Sequence, residues 1–170
     1  MYFCRVVKSD VLPPVRTLTE AARAGLRNVI VAHLDEKNGR AKHRPGMPQS
    51  GYYSSAAESV QSELVNDNTA VVSIQKEGLA MHFYGGVIYP KPPHKYLAIP
   101  MNPAVWDQMP SEYDPTKEKL HVAGGKLRDN ETDEIYYQLI RKATIKADPD
   151  VLPTDDQMYN AMFAKMEAVL

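Results

Sequence analysis

Cysteine occurs once in the 170 residues, at Cys4, so no disulfide can close within a single chain. No run of about 18 apolar residues is present to span a bilayer. Arg5, Lys8 and Asp10 follow Met1 where a secretory signal would carry its apolar stretch, so the sequence reads as a reduced, cytoplasmic, soluble protein. Charge of one sign is lacking too. Lys and Arg number 20 against 21 Asp and Glu, a formal net charge of -1, which disfavours a dedicated nucleic-acid binder. Internal repeats and low-complexity tracts are absent. Against these absences, 44% hydrophobic and 24% charged residues sit near globular averages, and the length suits one domain over 1–170.

The period of the apolar residues divides the chain. Residues 1–16 hold a short apolar stretch, Tyr2–Val7, and then Pro13 and Pro14, and read as an N-terminal arm. Thr17 or Thr19 can cap a helix of about 18 residues in which Leu18, Ala22, Leu26, Val29, Ile30, His33 and Leu34 recur at helical spacing. Gly25 interrupts it at a cost of about 1 kcal/mol relative to alanine, which points to close packing against another element. Residues 36–51 have no apolar face and predict a long basic loop. A short helix follows at Tyr52–Gln61, and near Ser62 the period changes from helical to alternating.

Two strands, Ser62–Val65 and Ala70–Gln75, flank the turn Asn66-Asp67-Asn68, with Val72 and Ile74 on one face. Val87–Tyr89 and Tyr96–Ile99 read as a hairpin whose basic tip is stiffened by Pro90, Pro92 and Pro93. Residues 101–116 read as an ordered excursion anchored by Trp106 and Met109. Further strands are expected at Leu120–Val122 and Ile135–Ile145, around Gly124 and Gly125. Thr154 can cap a final amphipathic helix that opens with Asp155 and Asp156 and carries Met158, Met162 and Met166. The resulting class is α+β: an antiparallel sheet packed by an N-terminal and a C-terminal helix, with long loops or arms. Leu26, Ile30, Val72, Ile74, Ile88, Leu97 and Ile99 are the expected core.

Catalytic signatures are scarce. None of His33, His43, His82, His94 and His121 forms a closely spaced ligand pair. His33 reads as a satisfied core or interface histidine, His94 as an exposed tip residue, and His82, beside Phe83 and Tyr84, as part of a packed aromatic cluster. Cys4 between apolar neighbours reads as an inert thiol. Gly85-Gly86 and Gly124-Gly125 match neither a phosphate loop nor a dinucleotide fingerprint. No catalytic residue, cofactor or metal is assigned.

One stretch is specific beyond periodicity. Met81-His82-Phe83-Tyr84-Gly85-Gly86-Val87-Ile88-Tyr89-Pro90-Lys91, followed by Lys95-Tyr96-Leu97-Ala98-Ile99-Pro100, resembles the "GG-x-I-x-P-K…KxLxIP" hairpin of virion-morphogenesis proteins of tailed bacteriophages and Mu-like prophages. These are tail-completion and neck proteins. Arg27-Asn28, His33-Leu34, Tyr52-Tyr53 and Ala56-Ala57 before it, and Asp148-Pro149 with Leu152–Asp155 after it, are similar in order. The resemblance implies a cofactor-free structural subunit between head and tail, in a homo-oligomeric ring for which a hexamer fits. It implies contacts with other neck, connector, tail-tube or terminator proteins, no membrane, and at most non-specific contact with passing DNA. Its place would be the virion, and the host cytoplasm during assembly. The assembly hairpin would comprise Gly85, Gly86, Pro90, Lys91, Lys95, Tyr96 and Pro100, with both glycines in tight or positive-φ backbone. Phe3, Arg40, Arg44, Met47, Trp106 and Met109 would be interface residues on the arm, loop and excursion.

Within that class the alternative is a tail terminator or head-closure subunit. Outside it, a small hydrolase-like enzyme would need the histidines to converge with Asp114, Glu118, Asp129 and Asp133. A nucleic-acid module would use Lys37, Arg40, Lys42, Arg44, Lys91 and Lys95 with Tyr52, Tyr53 and Tyr96.

Overall fold

The structure is a computed structural model that describes residues 12–41 and 45–170. Its contacts form two units interleaved along the chain. One holds the described residues up to Lys37 with Tyr53–Lys76 and Leu152–Leu170; the other holds the described residues of Asn38–Tyr52 with Glu77–Val151.

The first unit begins with helix α1, Val15–Arg40. It starts ahead of both threonines because Pro14 sets a helix-compatible φ and its carbonyl accepts from Thr17 N and Leu18 N, at 2.8 and 3.3 Å. Its buried residues are Gly25, Ile30 and Leu34, of which Ile30 and Leu34 stand one turn apart on the same face. Helix α2, Tyr52–Glu58, buries Ala56 and Ala57. Strands β1, Val60–Asn66, and β2, Thr69–Ile74, form an antiparallel pair in the register Val60↔Ile74 to Leu64↔Ala70.

The C-terminal helix of this unit, Asp155–Glu167, carries the expected cap. Thr154 Oγ1 accepts from Gln157 N while Gln157 Oε1 accepts from Thr154 N, a reciprocal capping box. Both long helices pack on the β1–β2 pair. Thr19 Oγ1 donates to Asp67 O at 2.8 Å. Leu18, Ala22 and Leu26 of α1, Ala70 and Val72 of β2, and Met162 and Met166 line an open apolar groove of about 370 Å3. Gly25 accounts for the close approach of the two helices, since a Cβ there would lie 2.9 Å from the Ala161 carbonyl carbon and 3.0 Å from Met162 Cα.

The second unit contains helix α3, Leu79–Tyr84, and strands β3, Gly86–Ile88, and β4, Leu97–Pro100. Helix α4, Pro110–Tyr113, and strands β5, Leu120–Ala123, β6, Lys126–Asp129, β7, Ile135–Ile140, and β8, Ala143–Ile145, follow. With α4 placed, the C-terminal helix becomes α5. β4, β7, β6 and β5 make a four-stranded antiparallel sheet in that order, and β3 with β8 makes a two-stranded one. The core of this unit is Val105, Tyr137 and Val151, all fully buried. Tyr137 keeps its hydroxyl satisfied by donating to Gln108 O at 3.2 Å, which ties the excursion 101–116 to the sheet. That excursion is ordered, through a 3-10 turn at Pro103–Val105 and α4.

Several expectations are corrected. Val87–Tyr89 and Tyr96–Ile99 do not form a hairpin. β3 pairs antiparallel with β8 and β4 with β7, so both run along one segment, Ile135–Ile145, one after the other. Pro90, Pro92 and Pro93 fix φ through the link and disfavour a tight hairpin turn, whereas β8 and β7 offer β3 and β4 successive antiparallel partners. The basic link 89–96 is an excursion from this ribbon. Ile135–Ile145 is itself interrupted at Arg141-Lys142, and Gly124-Gly125, both at positive φ, turn β5 into β6, which the polar composition of Lys126–Asp129 concealed. The helix α3 falls where no helix was expected, and α1 runs on to Arg40, so the long loop shortens. In the expected core Ile30 is buried and Leu26, Val72, Ile74, Leu97 and Ile99 are half-buried, but Ile88 is exposed, because its short two-stranded sheet leaves it on an open face.

Candidate functional site

The candidate site is built on the ribbon of β3, β8, β4 and β7. Gly85, the residue after α3, has φ of +77, and a Cβ there would stand 2.9 Å from Ala147 N and 3.2 Å from Ile145 O. Glycine is required on both grounds: L residues resist this φ, and the chain after β8 passes too close. Gly86 differs from the expectation. Its φ is not positive, and a Cβ would meet only the flexible Met81 side chain, 3.2 Å from Cε.

Beyond Ile88 the link carries Tyr89 (63% exposed), half-buried Pro90, exposed Lys91 and Lys95, and Tyr96 (43% exposed) before β4 begins. His94 N donates to Lys91 O at 3.0 Å, a turn that holds the tip. Pro100 closes β4 opposite Tyr137. Tyr84, Val87 and Ile88 are exposed as well, Val87 and Ile88 on opposite sides of the short strand.

The remaining interface candidates separate. Met47 is buried within the chain and is not an accessible anchor. Trp106 is half-buried, Met109 is 66% exposed, and Arg40 is the exposed last residue of α1. Phe3 and Arg44, with Cys4 and His43, lie outside the described residues.

Of the carboxylates an enzyme would need, Asp114 and Asp129 hold backbone N–H groups and Asp133 meets Arg128 and His121. Asp114 is buried at the end of α4 and accepts from Glu118 N, Lys119 N and Leu120 N at 2.9 to 3.0 Å. Burial pushes its pKa up, but those three N–H groups and the Thr116 hydroxyl outweigh it and hold the carboxyl below its ordinary value. This residue organises the loop into β5. Asp129 similarly accepts from Glu131 N, Thr132 N and the Thr132 hydroxyl. Asp133 pairs with Arg128 at 2.9 Å and approaches His121 Nε2 at 3.7 Å, while His121 Nδ1 lies 2.8 Å from Asn130 Oδ1. The Tyr136 pKa is pushed up to about 12 by its hydrogen bond with Tyr113, whose ring lies 5.3 Å away.

His82 stacks on Tyr52, ring centres 4.7 Å apart, while Phe83 meets Tyr84 edge-on, so it belongs to an aromatic cluster as its neighbours suggested. Tyr52, the decisive partner, is remote in sequence. Among the described residues no three His, Cys, Asp or Glu side chains form a metal-holding group, and no described helix is long and apolar enough to cross a membrane. Comparison with protein-family models, with curated proteins and with solved structures finds no match.

Proposed function

We propose that this chain is a structural virion-morphogenesis subunit of a tailed phage, a tail-completion or neck protein that joins head to tail by assembling into a ring and resides in the virion. The observation that carries the reading is the motif segment itself. Residues 81–100, which bear the resemblance, leave Tyr84, Val87 and Ile88 exposed on and beside a two-stranded sheet. Exposed apolar side chains next to open strand edges suit docking onto a neighbouring subunit better than solvation. Repetition of one such heterologous contact closes a ring when the rotation returns to its start. The engagement of Asp114 and Asp129 with backbone N–H groups supports a structural role over a hydrolytic one.

Native mass spectrometry and electron microscopy of the purified protein test this reading. The expected result is a closed ring, with six copies as the favoured number, and the same chain detected at the neck of purified particles. A protein that remains monomeric alone and with neck and tail-tube partners, and is missing from particles, refutes it. Its position in the particle separates tail completion from terminator or head closure.

A further inference from the structure

The net charge of -1 conceals a strongly uneven distribution. Residues 78–106 and 135–147 contain no Asp or Glu, yet carry Lys91, Lys95, Arg141, Lys142 and Lys146, leaving fifteen Lys and Arg against twenty-one Asp and Glu for the rest of the chain. The fold brings these two acid-free stretches together, since they are the paired strands β3–β8 and β4–β7. Ile88 pairs with Ala143 and Leu97 with Ile140, so the link bearing Lys91 and Lys95 leaves and rejoins the ribbon opposite Arg141 and Lys142. All five cations are exposed, and among the described residues none forms an ion pair with a carboxylate. Tyr89 and Tyr96 flank the same link, 63% and 43% exposed.

We propose that this face binds single-stranded nucleic acid without sequence preference, with phosphates on Lys91, Lys95, Arg141 and Lys142 and bases stacked on Tyr89 and Tyr96. Like charges brought together without counter-charges are stabilised by a polyanion, and aromatic faces beside them accept any base. The composition favours this ligand over an acidic protein. Four of the five cations are lysine, a residue depleted from protein–protein interfaces and suited to phosphate as a point charge. The inference goes beyond the assembly reading and does not depend on it.

Fluorescence anisotropy of the full chain with a labelled mixed-sequence 20-nucleotide DNA tests it. Binding should be micromolar in 50 mM salt and weaken roughly 50- to 130-fold in 200 mM salt, as release of counterions from four or five phosphates dictates. Lys91→Glu with Lys95→Glu should weaken binding at least tenfold, and Tyr89→Ala with Tyr96→Ala at least fivefold, while Lys165→Glu on α5 should leave it unchanged. Circular dichroism of each variant establishes that it folds. The proposal is overturned by absence of binding in 50 mM salt, by salt-insensitive binding, or by equal losses from Lys165→Glu. Tighter binding of a duplex, or of a polyglutamate peptide, than of the single strand also overturns it. Ring formation is measured separately, so failure of either reading leaves the other standing.

Discussion

Gly25→Ala sets two effects of opposite sign against each other in one helix. In an exposed helix interior the change would add about 1 kcal/mol of stability, because glycine gives up more backbone freedom on folding. At Gly25 the new methyl would overlap the Ala161 carbonyl oxygen and lie 2.9 Å from its carbon and 3.0 Å from Met162 Cα. All three are backbone atoms of α5, so no rotamer change relieves the contact and the helices must separate along the wall of the apolar groove. Overpacking of this kind costs about 1 to 3 kcal/mol, and a contact between two rigid backbones belongs at the upper end. The net expectation is a loss of about 1 to 2 kcal/mol, read as a fall of about 0.5 to 1 M in the urea midpoint. Helical ellipticity is the suitable signal, because Trp106, the single tryptophan, lies in the other unit. Gly39→Ala is the control: it lies in the same helix with nothing within 4 Å of its Cβ position, and should stabilise. If Gly25→Ala matches or exceeds the wild-type midpoint while Gly39→Ala behaves as stated, the assigned helix contact is wrong.

Three further outcomes are expected. Gly85→Ala should cost more stability than Gly86→Ala, about 1 to 3 kcal/mol from its glycine-only backbone conformation alone, with the contact at Ala147 N added; equal urea midpoints for the two variants would contradict this. Asp114→Asn should destabilise the second unit, as followed by Trp106 fluorescence. Because the folded carboxyl is held below its ordinary value of 3.8, the wild-type advantage should be constant from pH 8 to pH 5 and decline as pH falls below about 4 through the depressed value; an advantage that grows in acid would refute the assignment. Thr154→Ala removes one half of the capping box and should cost about 1 kcal/mol of stability in urea denaturation, an effect that a cap merely exposed to water would not produce.

Local chemistry made several elements legible. The stripe Leu26, Ile30, Leu34 marks α1, Thr154 with Asp155 and Asp156 marks the start of α5, and Asn66-Asp67-Asn68 marks the β1–β2 turn, since periodicity, capping and turn formation depend on residues a few positions apart. Gly25 announced a close approach by its cost within a helix, and Asp114 gave no sign of its role because its donors come from a loop whose path no periodicity reveals.

The pairing of short strands is different in kind. A strand of three or four residues, such as Gly86–Ile88 or Leu97–Pro100, has unsatisfied N–H and C=O groups on both edges and no local preference among partners, so the hairpin that proximity suggested was only one choice. The longer run Ile135–Ile145 satisfies both strands together, and that non-local competition sets β3 against β8 and β4 against β7. The identity of the exposed side chains was written in the sequence. Their gathering, with Lys91 and Lys95 opposite Arg141 and Lys142, was decided by the tertiary structure, because charge and aromaticity are properties of residues whereas a surface is a property of the strands that meet.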